Sequence, residues 1–427
     1  MYIERQIFRA LLAHKENQKI TLLIGARQVG KTTVLQALYR HLKETNRSLF
    51  LDLDIYSNFE KVSTYENLMN TLKINSYVED QKELFFLFLD EFQRYSDISL
   101  ILKNIADHHP NIKVYASGSS SLMINDKIQE SLAGRKRIIK IYPLNFKEYL
   151  KFRDKSELIE KLDRVPSINS KTLNQLLPEL YTEMNHFLIN GGYPEVALSS
   201  INDRKEIFAS IFDLFIKKDL VDYLKLEKIK NAKLLIQALA VNNGAETKYN
   251  SLSQMAGIDE KTVKNYIELL KETFLISVHL PWYTNKNKEI VKMPKIYFID
   301  NGVRNYFINN FNPPHIRNDI PFLFEGYVIS ELIKGGIPTE AIKFWRTKSQ
   351  AEIDIIIDQE GQQIPIEIKY KSKISSRDLK GINRFCLQYP NTKKTYLVNL
   401  NDNTYQEQTK LLTAFDLDTF IADERLV

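Results

Sequence analysis

Apolar residues gather in short, nearly unbroken runs along the first third of the chain. The runs lie at residues 20–24, 48–54, 84–89, 112–116 and 138–144. An apolar run of this length is typical of a parallel strand that is buried on both faces. Between the runs, apolar residues recur at helical spacing, as at residues 33–38. The alternation predicts an α/β domain with a parallel sheet over residues 1–145.

The pattern becomes helical after residue 145. Helical spacing extends over residues 146–162, 173–189 and 204–226. The turn-forming sequence from Asn190 to Pro194 interrupts it. We therefore expect residues 146–228 to form a helical lid.

Residues 229–315 have a third pattern, with three helix-like segments followed by two strand-like runs. The helices are expected at 232–242, 252–256 and 260–274, and the strands at 275–283 and 290–299. A polar hairpin at residues 285–288 would join the strands. This order predicts a winged helix-turn-helix, whose third helix can enter the DNA major groove. Such a module can equally serve as packing between domains.

The last segment, residues 316–427, returns to an α/β pattern. Helices are expected at 322–334 and 375–388, and strands at 343–346, 352–358, 363–371 and 394–398. The fold class expected for the whole chain is therefore α/β, with a parallel-sheet domain, a helical lid, a winged helix and a second, smaller α/β domain.

Composition narrows the class of protein. The 427 residues are 44% hydrophobic and 26% charged, which is ordinary for a soluble globular protein of several domains. The single cysteine, Cys386, excludes an internal disulfide framework. No apolar run is long enough to cross a bilayer, and the first 19 residues lack the apolar core of a signal peptide. We expect a cytoplasmic protein without a membrane partner.

The first apolar run leads into a glycine loop and then a helix. The loop reads Gly25-Ala26-Arg27-Gln28-Val29-Gly30-Lys31-Thr32, and Thr33 follows. Strand, glycine loop and helix in this order form the context of a phosphate-binding loop. Backbone N–H groups and the helix N-terminus would hold the phosphates of ATP. Lys31 can reach the β- and γ-phosphates, and the Thr32 hydroxyl can bind Mg²⁺.

Further candidate residues follow the other strands. Asp90 and Glu91 end the run at 84–89, where Asp90 would hold the Mg²⁺ shell and Glu91 would orient or deprotonate the attacking water. Ser119, in the serine-rich segment after residue 116, either senses the γ-phosphate or belongs to a turn. Arg135, with Arg137 as the alternate, either touches phosphate charge or forms a surface ion pair. That contact would be made in cis or from a neighbouring subunit of a homo-oligomer.

These motifs together resemble a prokaryotic AAA+-superfamily ATPase. The resemblance rests on Gly25 to Thr32, the Leu89-Asp90-Glu91 ending, the Ser117 to Ser120 segment, and Leu132 to Arg135 ahead of Pro143-Leu144. The lineage is an archaeal and bacterial group of predicted ATPases, and the match covers nearly the whole chain. It implies ATP binding and hydrolysis with Mg²⁺, without a settled biological role.

Acidic residues form a second pattern in the last segment. Strand alternation places Glu352, Asp354 and Asp358 on one face, and Glu367 and Lys369 on one face of the next strand. In a hairpin, Asp354 would lie beside Glu367 with Lys369 at hand. Two carboxylates with a backbone carbonyl would suit Mg²⁺. Lys369 could position water, and Glu325, from the helix before, could complete the shell. The alternative is an edge strand with acids in solvent.

The second pattern resembles the restriction-endonuclease-like, PD-(D/E)XK, superfamily. Asp354 matches its aspartate and Glu367-Ile368-Lys369 its acid-x-lysine element, although Ile353 stands where the motif has proline. The resemblance implies a nuclease-like fold, with or without cleavage.

Basic residues outnumber acidic ones by four between residues 229 and 315, a weak indication of nucleic-acid contact. The candidate DNA-contacting residues are Lys261, Thr262, Lys264 and Asn265 on the third helix of the winged helix, and Lys286 and Lys288 at the wing tip.

The leading hypothesis is an ATPase coupled to a DNA-binding, metal-dependent nuclease-like domain. The alternative is an ATP-driven switch whose nuclease-like domain only binds DNA or a protein. A third class, a chaperone-like or transport-coupled ATPase, would not bind DNA.

Overall fold

The computed structural model describes residues 2–79, 81–92, 98–118, 131–164, 170–216, 229–359, 361–401 and 404–424. The chain divides into two compact units. The first comprises residues 1–142 and 272–274, and the second comprises residues 143–271 and 275–427. The domain boundaries expected at residues 145, 228 and 315 stay predictions. Among the described helices, none combines the length and hydropathy that a membrane span requires.

The first unit is a parallel sheet with helices between its strands. The strands are β1 (Ile20–Gly25), β2 (Ser48–Asp52), β3 (Phe85–Asp90), β4 (Ile112–Gly118) and β5 (Lys136–Ile141), and the helices are α1 (Ile7–Ala13), α2 (Lys31–Leu42), α3 (Tyr56–Val62), α4 (Tyr65–Ile74) and α5 (Ile98–His108). All five strands pair in parallel, in the order β2-β3-β4-β1-β5. The predicted parallel α/β sheet is therefore confirmed.

The register of this sheet brings the carboxyl ends of its central strands together. Every residue of β1, β3 and β4 is buried, as expected for strands covered on both faces. Asp52 pairs with Asp90, and Leu23 and Ile24 pair with Ser117 and Gly118. Because ligands of open α/β sheets bind beyond the carboxyl ends of the strands, this edge is where a nucleotide site is expected.

The second unit begins with helices. They are α6 (Phe146–Phe152), α7 (Ser156–Arg164), α8 (Ser170–Asn190), α9 (Pro194–Leu198) and α10 (Arg204–Phe215). The predicted helix at 146–162 is thus two helices. The turn predicted around Gly191 is present, with Gly191 at φ +74°. Gly192 N donates a 2.6 Å hydrogen bond to the carboxylate of Asp300, and a Cβ on Gly191 would overlap that carboxylate.

Three helices and a two-stranded antiparallel sheet follow, largely as predicted. They are α11 (Ile229–Val241), α12 (Tyr249–Ala256), α13 (Glu260–Glu272), β6 (Ile276–His279) and β7 (Lys295–Phe298). The predicted polar hairpin at 285–288 is wrong, because a short helix, α14 (Lys286–Val291), occupies this position. Glu289 of α14 is buried and accepts a 3.0 Å hydrogen bond from Tyr283 N, which holds the helix in place.

The remainder is a mixed six-stranded sheet with three flanking helices and a fourth, α15 (Asn301–Phe307), ahead of them. The strands are β8 (Ile342–Arg346), β9 (Glu352–Gln359), β10 (Gln362–Ile368), β11 (Tyr396–Asn399), β12 (Tyr405–Gln406) and β13 (Thr409–Thr413), and the helices are α16 (Ile320–Gly335), α17 (Lys380–Gln388) and α18 (Leu417–Glu424). The order is β12-β13-β11-β10-β9-β8. Strands β8, β9 and β10 form an antiparallel meander, and β11 is parallel to β10. The predicted β9–β10 hairpin is therefore present.

Candidate nucleotide site and acidic cluster

The glycine loop joins β1 to α2 and is shaped by its two glycines. Gly30 has φ +91°, a left-handed conformation that glycine adopts without strain, and α2 begins at the next residue. Gly25 is required for another reason, because a Cβ there would overlap the carbonyl oxygen of Ile141 on β5. The predicted strand–loop–helix context of the phosphate-binding loop is thus present.

Lys31 lies inside this loop and not on the outer surface of α2. The residue is 6% exposed. Its ammonium donates hydrogen bonds to the carbonyl oxygens of Gly25, at 3.0 Å, and Ala26, at 2.6 Å. The N-terminus of α2 adds partial positive charge at the same point. The loop therefore concentrates positive charge where the sequence predicts phosphate binding.

Asp90 is the buried carboxylate beside the loop. It ends β3 and is 2% exposed. The hydroxyls of Ser117 and Thr32 both hydrogen-bond to it, and Glu91 N donates to its Oδ1 at 3.2 Å. Burial raises the pKa of the Asp90 carboxyl, although the two hydroxyl hydrogen bonds oppose the shift. A hydroxyl and a carboxylate in contact are hard oxygen donors of the kind that Mg²⁺ prefers.

Glu91 follows Asp90 directly and has a left-handed backbone conformation, with φ +52°. A non-glycine residue rarely adopts this conformation, and such residues occur often at functional sites. The residue is half-buried. The conformation turns the chain out of the sheet as soon as β3 ends.

Ser117 is a residue that the prediction passed over in favour of Ser119. Ser119 lies outside the described residues. Ser117 belongs to β4, is fully buried and contacts Asp90. The sequence could have indicated Ser117, because a serine near the end of a buried strand needs a polar partner, and the neighbouring strand ends in the acid Asp90.

Arg135 lies at the amino-terminal end of the sheet, whereas the glycine loop lies at the carboxyl end. Its carbonyl oxygen accepts a hydrogen bond from Ile20 N, at the start of β1, whereas the loop follows Gly25 at the end of β1. The separation along the strand is about 16 Å. The guanidinium pairs with Asp107, and the alternate, Arg137, is exposed at the same edge. This placement argues against contact in cis with phosphates at the loop.

In the second unit, Asp354, Glu367 and Lys369 come together as predicted. Asp354 Oδ2 accepts a 2.8 Å hydrogen bond from Ile368 N across the hairpin. The Lys369 ammonium pairs with Glu367 and lies 3.8 Å from Asp354 Oδ2. Burial, together with the Asp354 charge, raises the pKa of Glu367.

Glu325, the proposed fourth member, has different partners. It lies on α16, accepts a hydrogen bond from the Tyr297 hydroxyl and lies 3.4 Å from the ammonium of Lys295. Burial raises the pKa of Glu325 in spite of that ammonium. Lys295 also pairs with Glu352, at 2.6 Å. We refer to Glu325, Glu352, Asp354, Glu367, Lys295 and Lys369 as the acidic cluster.

The metal site expected at Glu325, Asp354 and Glu367 stays a prediction. Within the described ranges, no three Asp, Glu, His or Cys side chains are arranged to hold a metal ion. Two ammonium groups, those of Lys295 and Lys369, contact Glu325 and Glu367 of this set.

The candidate DNA-contacting residues divide into two groups. On α13, Lys261, Lys264 and Asn265 are exposed, whereas the Thr262 hydroxyl bonds to Asp259. On α14, the ammonium of Lys286 pairs with Glu289 at 3.0 Å and Asp358 at 2.8 Å. Lys286 therefore does not extend from a wing tip as predicted. Lys288 lies on the same short helix.

Comparison with known families accounts for the first unit. Residues 17–150 match the family described as an AAA domain. This part of the chain is therefore similar to an AAA-type P-loop domain. The segments that follow it match two domains of unknown function, DUF8612 over residues 181–313 and DUF4143 over residues 322–419.

The similarity to two uncharacterized proteins extends beyond the residues that match the AAA domain. An uncharacterized protein of Methanocaldococcus jannaschii is 28% identical over 409 residues, which cover 92% of this chain and 84% of that protein. An uncharacterized protein of Haemophilus influenzae is 22% identical over 422 residues, which cover 96% of each chain.

Two solved structures are similar at lower sequence identity. The Walker-type ATPase PABY2304 of Pyrococcus abyssi has a TM-score of 0.46 at 17% identity, covering 72% of this chain and 96% of that chain. The AMPPCP-bound DnaA of Aquifex aeolicus has a TM-score of 0.29 at 15% identity, covering 62% of this chain and 86% of that chain. We draw no functional conclusion from either likeness.

Proposed function

We propose that this protein binds ATP and hydrolyses it with Mg²⁺. The observation that carries the proposal is the contact of Thr32 and Ser117 with the buried Asp90, beside a loop that holds Lys31. An AAA-type domain with this arrangement has a phosphate-binding loop, a hydroxyl and a carboxylate within one small region.

Each residue of the site has a separate role in ATP binding or hydrolysis. The backbone from Gly25 to Thr33 binds the phosphates, and Lys31 neutralises their charge. Thr32 and Asp90 fit Mg²⁺ and would hold it, and the bound ion would offset phosphate charge. Glu91 orients the attacking water and accepts its proton.

Nucleotide affinity of Lys31→Ala tests the proposal. Fluorescent ATP should bind the wild type, and Lys31→Ala should abolish binding because the only described ammonium bonded inside the glycine loop is removed. Lys43→Ala is the matched control, since Lys43 is exposed just after the same helix ends. Equal affinity of Lys31→Ala and the control would overturn the assignment.

We propose further that residues 229–315 form a winged helix that binds DNA through α13. Support comes from the element order α11, α12, α13, β6 and β7, and from the exposed side chains of Lys261, Lys264 and Asn265. Phosphate contacts by lysine make affinity depend steeply on salt.

A charge-matched pair of double variants tests the DNA proposal. Removing Lys261 and Lys264 together should weaken DNA binding and lower the salt slope by about two. Removing the exposed Lys230 and Lys233 of α11 changes net charge equally and should have little effect. Equal weakening by both pairs would indicate non-specific attraction. No binding by the wild type would favour the chaperone-like or transport-coupled class.

We propose that the last segment is a nuclease-like platform. Helix α16, the β8–β9–β10 meander, α17 and the parallel β11 surround Asp354 and the Glu367-Ile368-Lys369 element. In the leading hypothesis this platform cleaves DNA, and in the alternative it only binds DNA or a protein. We propose the binding-only alternative, because the carboxylates have ammonium partners. Nicking of supercoiled DNA with Mn²⁺ by the wild type, lost in Asp354→Asn, would overturn this choice.

A homo-oligomer is the arrangement in which Arg135 would reach a nucleotide, one bound to a neighbouring subunit. If the chains must associate for activity, wild-type turnover per chain should rise with protein concentration. Arg135→Ala should lower turnover only in that concentration range, where the chains associate. A concentration-independent loss would contradict this role.

A further inference from the structure

Lys295 is a buried lysine that the sequence analysis did not single out. It begins β7, and its side chain is 6% exposed. Neither of the carboxylates that it contacts belongs to its own sheet, since Glu325 lies on α16 and Glu352 on β9. A buried ammonium requires such partners, because an unpaired charge in the protein interior is costly.

The contacts of Lys295 are those of a cation at the centre of an anionic group. The ammonium lies 2.6 Å from Glu352 Oε1 and 3.4 Å from Glu325 Oε1, and the Phe344 ring is 5.2 Å away. Burial alone would lower the pKa of Lys295, but the charges of Glu325, Glu352 and Asp354 raise it above its ordinary value. The carboxylates therefore favour the charged form of the side chain.

Each of the remaining carboxylates of the cluster has one oxygen in contact with a positively charged side chain. Lys369 pairs with Glu367 and approaches Asp354, whose Oδ2 also accepts the Ile368 N–H. On Glu352, Oε2 lies 3.9 Å from Arg346. A divalent ion needs several oxygens converging on one point at about 2.0–2.6 Å. The contacted oxygens face ammonium, guanidinium or amide protons, whereas the buried Oε2 of Glu367 has no hydrogen-bond partner among the described residues. Because no three Asp, Glu, His or Cys side chains of the described residues are grouped to hold an ion, the side chains as placed do not fit a metal.

We propose that Lys295 takes the place of a divalent cation among the four carboxylates of the acidic cluster, which are those of Glu325, Glu352, Asp354 and Glu367. The lysine holds β7 against α16 and β9 through charge. A platform assembled in this way keeps the acid-x-lysine pattern without the metal chemistry. The inference is independent of ATP hydrolysis, because every residue that it uses lies in the second unit.

Mn²⁺ binding tests directly whether Lys295 takes the place of a divalent cation. Mn²⁺ titration by calorimetry would use nucleotide-free full-length protein carrying Asp90→Asn, so that the AAA domain offers no carboxylate from Asp90. This parent protein should show no Mn²⁺ site. Adding Lys295→Met should create one site per chain, roughly tenfold or more tighter than any residual binding, and adding Asp354→Asn to that variant should remove it.

Two results would overturn the proposal. The first is Mn²⁺ binding by the Asp90→Asn parent that Asp354→Asn abolishes. The second is a folded Lys295→Met protein that gains no site, with folding judged by circular dichroism. If Lys295→Met does not fold, Lys295→Gln replaces it, and the parent compared with its Asp354→Asn form still decides whether Lys295 excludes the metal.

Discussion

The hydroxyl of Ser117 donates a hydrogen bond to the carboxylate of Asp90 across two neighbouring strands of the parallel sheet. Thr32 approaches the same carboxylate from the glycine loop. Three elements of the chain, β3, β4 and α2, therefore fix one buried acid in position. At this acid the glycine loop and the sheet are in contact.

Ser117→Ala should lower ATP turnover about tenfold, because a hydrogen bond to a charged group is worth about 1.5–3 kcal/mol. Nucleotide affinity should change little, since the glycine loop is intact. The Ser117 hydrogen bond lowers the pKa of Asp90 against the effect of burial. Its loss should raise that pKa, and the acid limb of the pH–rate profile should move to higher pH.

Ser48→Ala is the control for this prediction. Ser48 begins β2, and its buried hydroxyl has no hydrogen-bond partner among the residues that the structure describes. The control should keep wild-type turnover and an unchanged pH–rate profile. If Ser117→Ala behaves like the control, the hydroxyl does not position Asp90.

Gly25→Ala should destabilise the first unit by about 3 kcal/mol or more, because its Cβ would overlap backbone that cannot move without separating β1 from β5. Gly134→Ala provides the comparison. No described atom lies within 4 Å of a Cβ placed on Gly134, but its φ of +77° predicts a cost of about 1 kcal/mol. Thermal unfolding of both variants gives the comparison, and a Gly25→Ala protein as stable as the wild type would contradict the packing argument.

Glu331 should make the second unit sensitive to pH. The residue is buried on α16, accepts a 2.9 Å hydrogen bond from Phe146 N, and has a pKa that burial raises to about 7. An acid whose folded pKa is raised destabilises the fold progressively as pH rises from its unfolded pKa, near 4.5, through 7.

Glu331→Gln removes this titration. The stability of the wild type relative to Glu331→Gln should fall by about 2–3 kcal/mol between pH 4.5 and pH 8. Urea unfolding at both pH values, followed by a probe in the second unit, measures the difference. A difference that stays constant over this range would show that folding does not raise the pKa of Glu331.

The elements set by local pattern could be predicted from the sequence. The apolar run before Asp90 gave a buried strand, and the glycine loop between β1 and α2 lies where its spacing placed it. The β9–β10 hairpin followed from two alternating strands with a turn at Gly361. In each instance the deciding interactions are close in sequence or follow from the period of one strand.

The features that depend on distant partners could not be predicted. Lys295 in β7 resembles any strand lysine until Glu325 and Glu352 are placed beside it. The polar stretch at 285–288 resembles a hairpin, but it belongs to a helix whose Lys286 and Glu289 pair with Asp358 and Lys343, both distant in sequence. Arg135 is an exception, because it precedes a strand of the predicted parallel sheet whereas the glycine loop follows one, and this order already puts them at opposite ends of the sheet.

ATP turnover and bound nucleotide, measured together on Glu91→Gln, test the central claim most directly. Glutamine keeps the size of the side chain and removes the base, so Mg²⁺–ATP should bind with wild-type affinity while hydrolysis falls about a hundredfold or more. Nucleotide recovered from the Glu91→Gln protein should be ATP, whereas the wild type should yield mainly ADP. Wild-type turnover by Glu91→Gln, or a wild type that binds no ATP, would contradict the account.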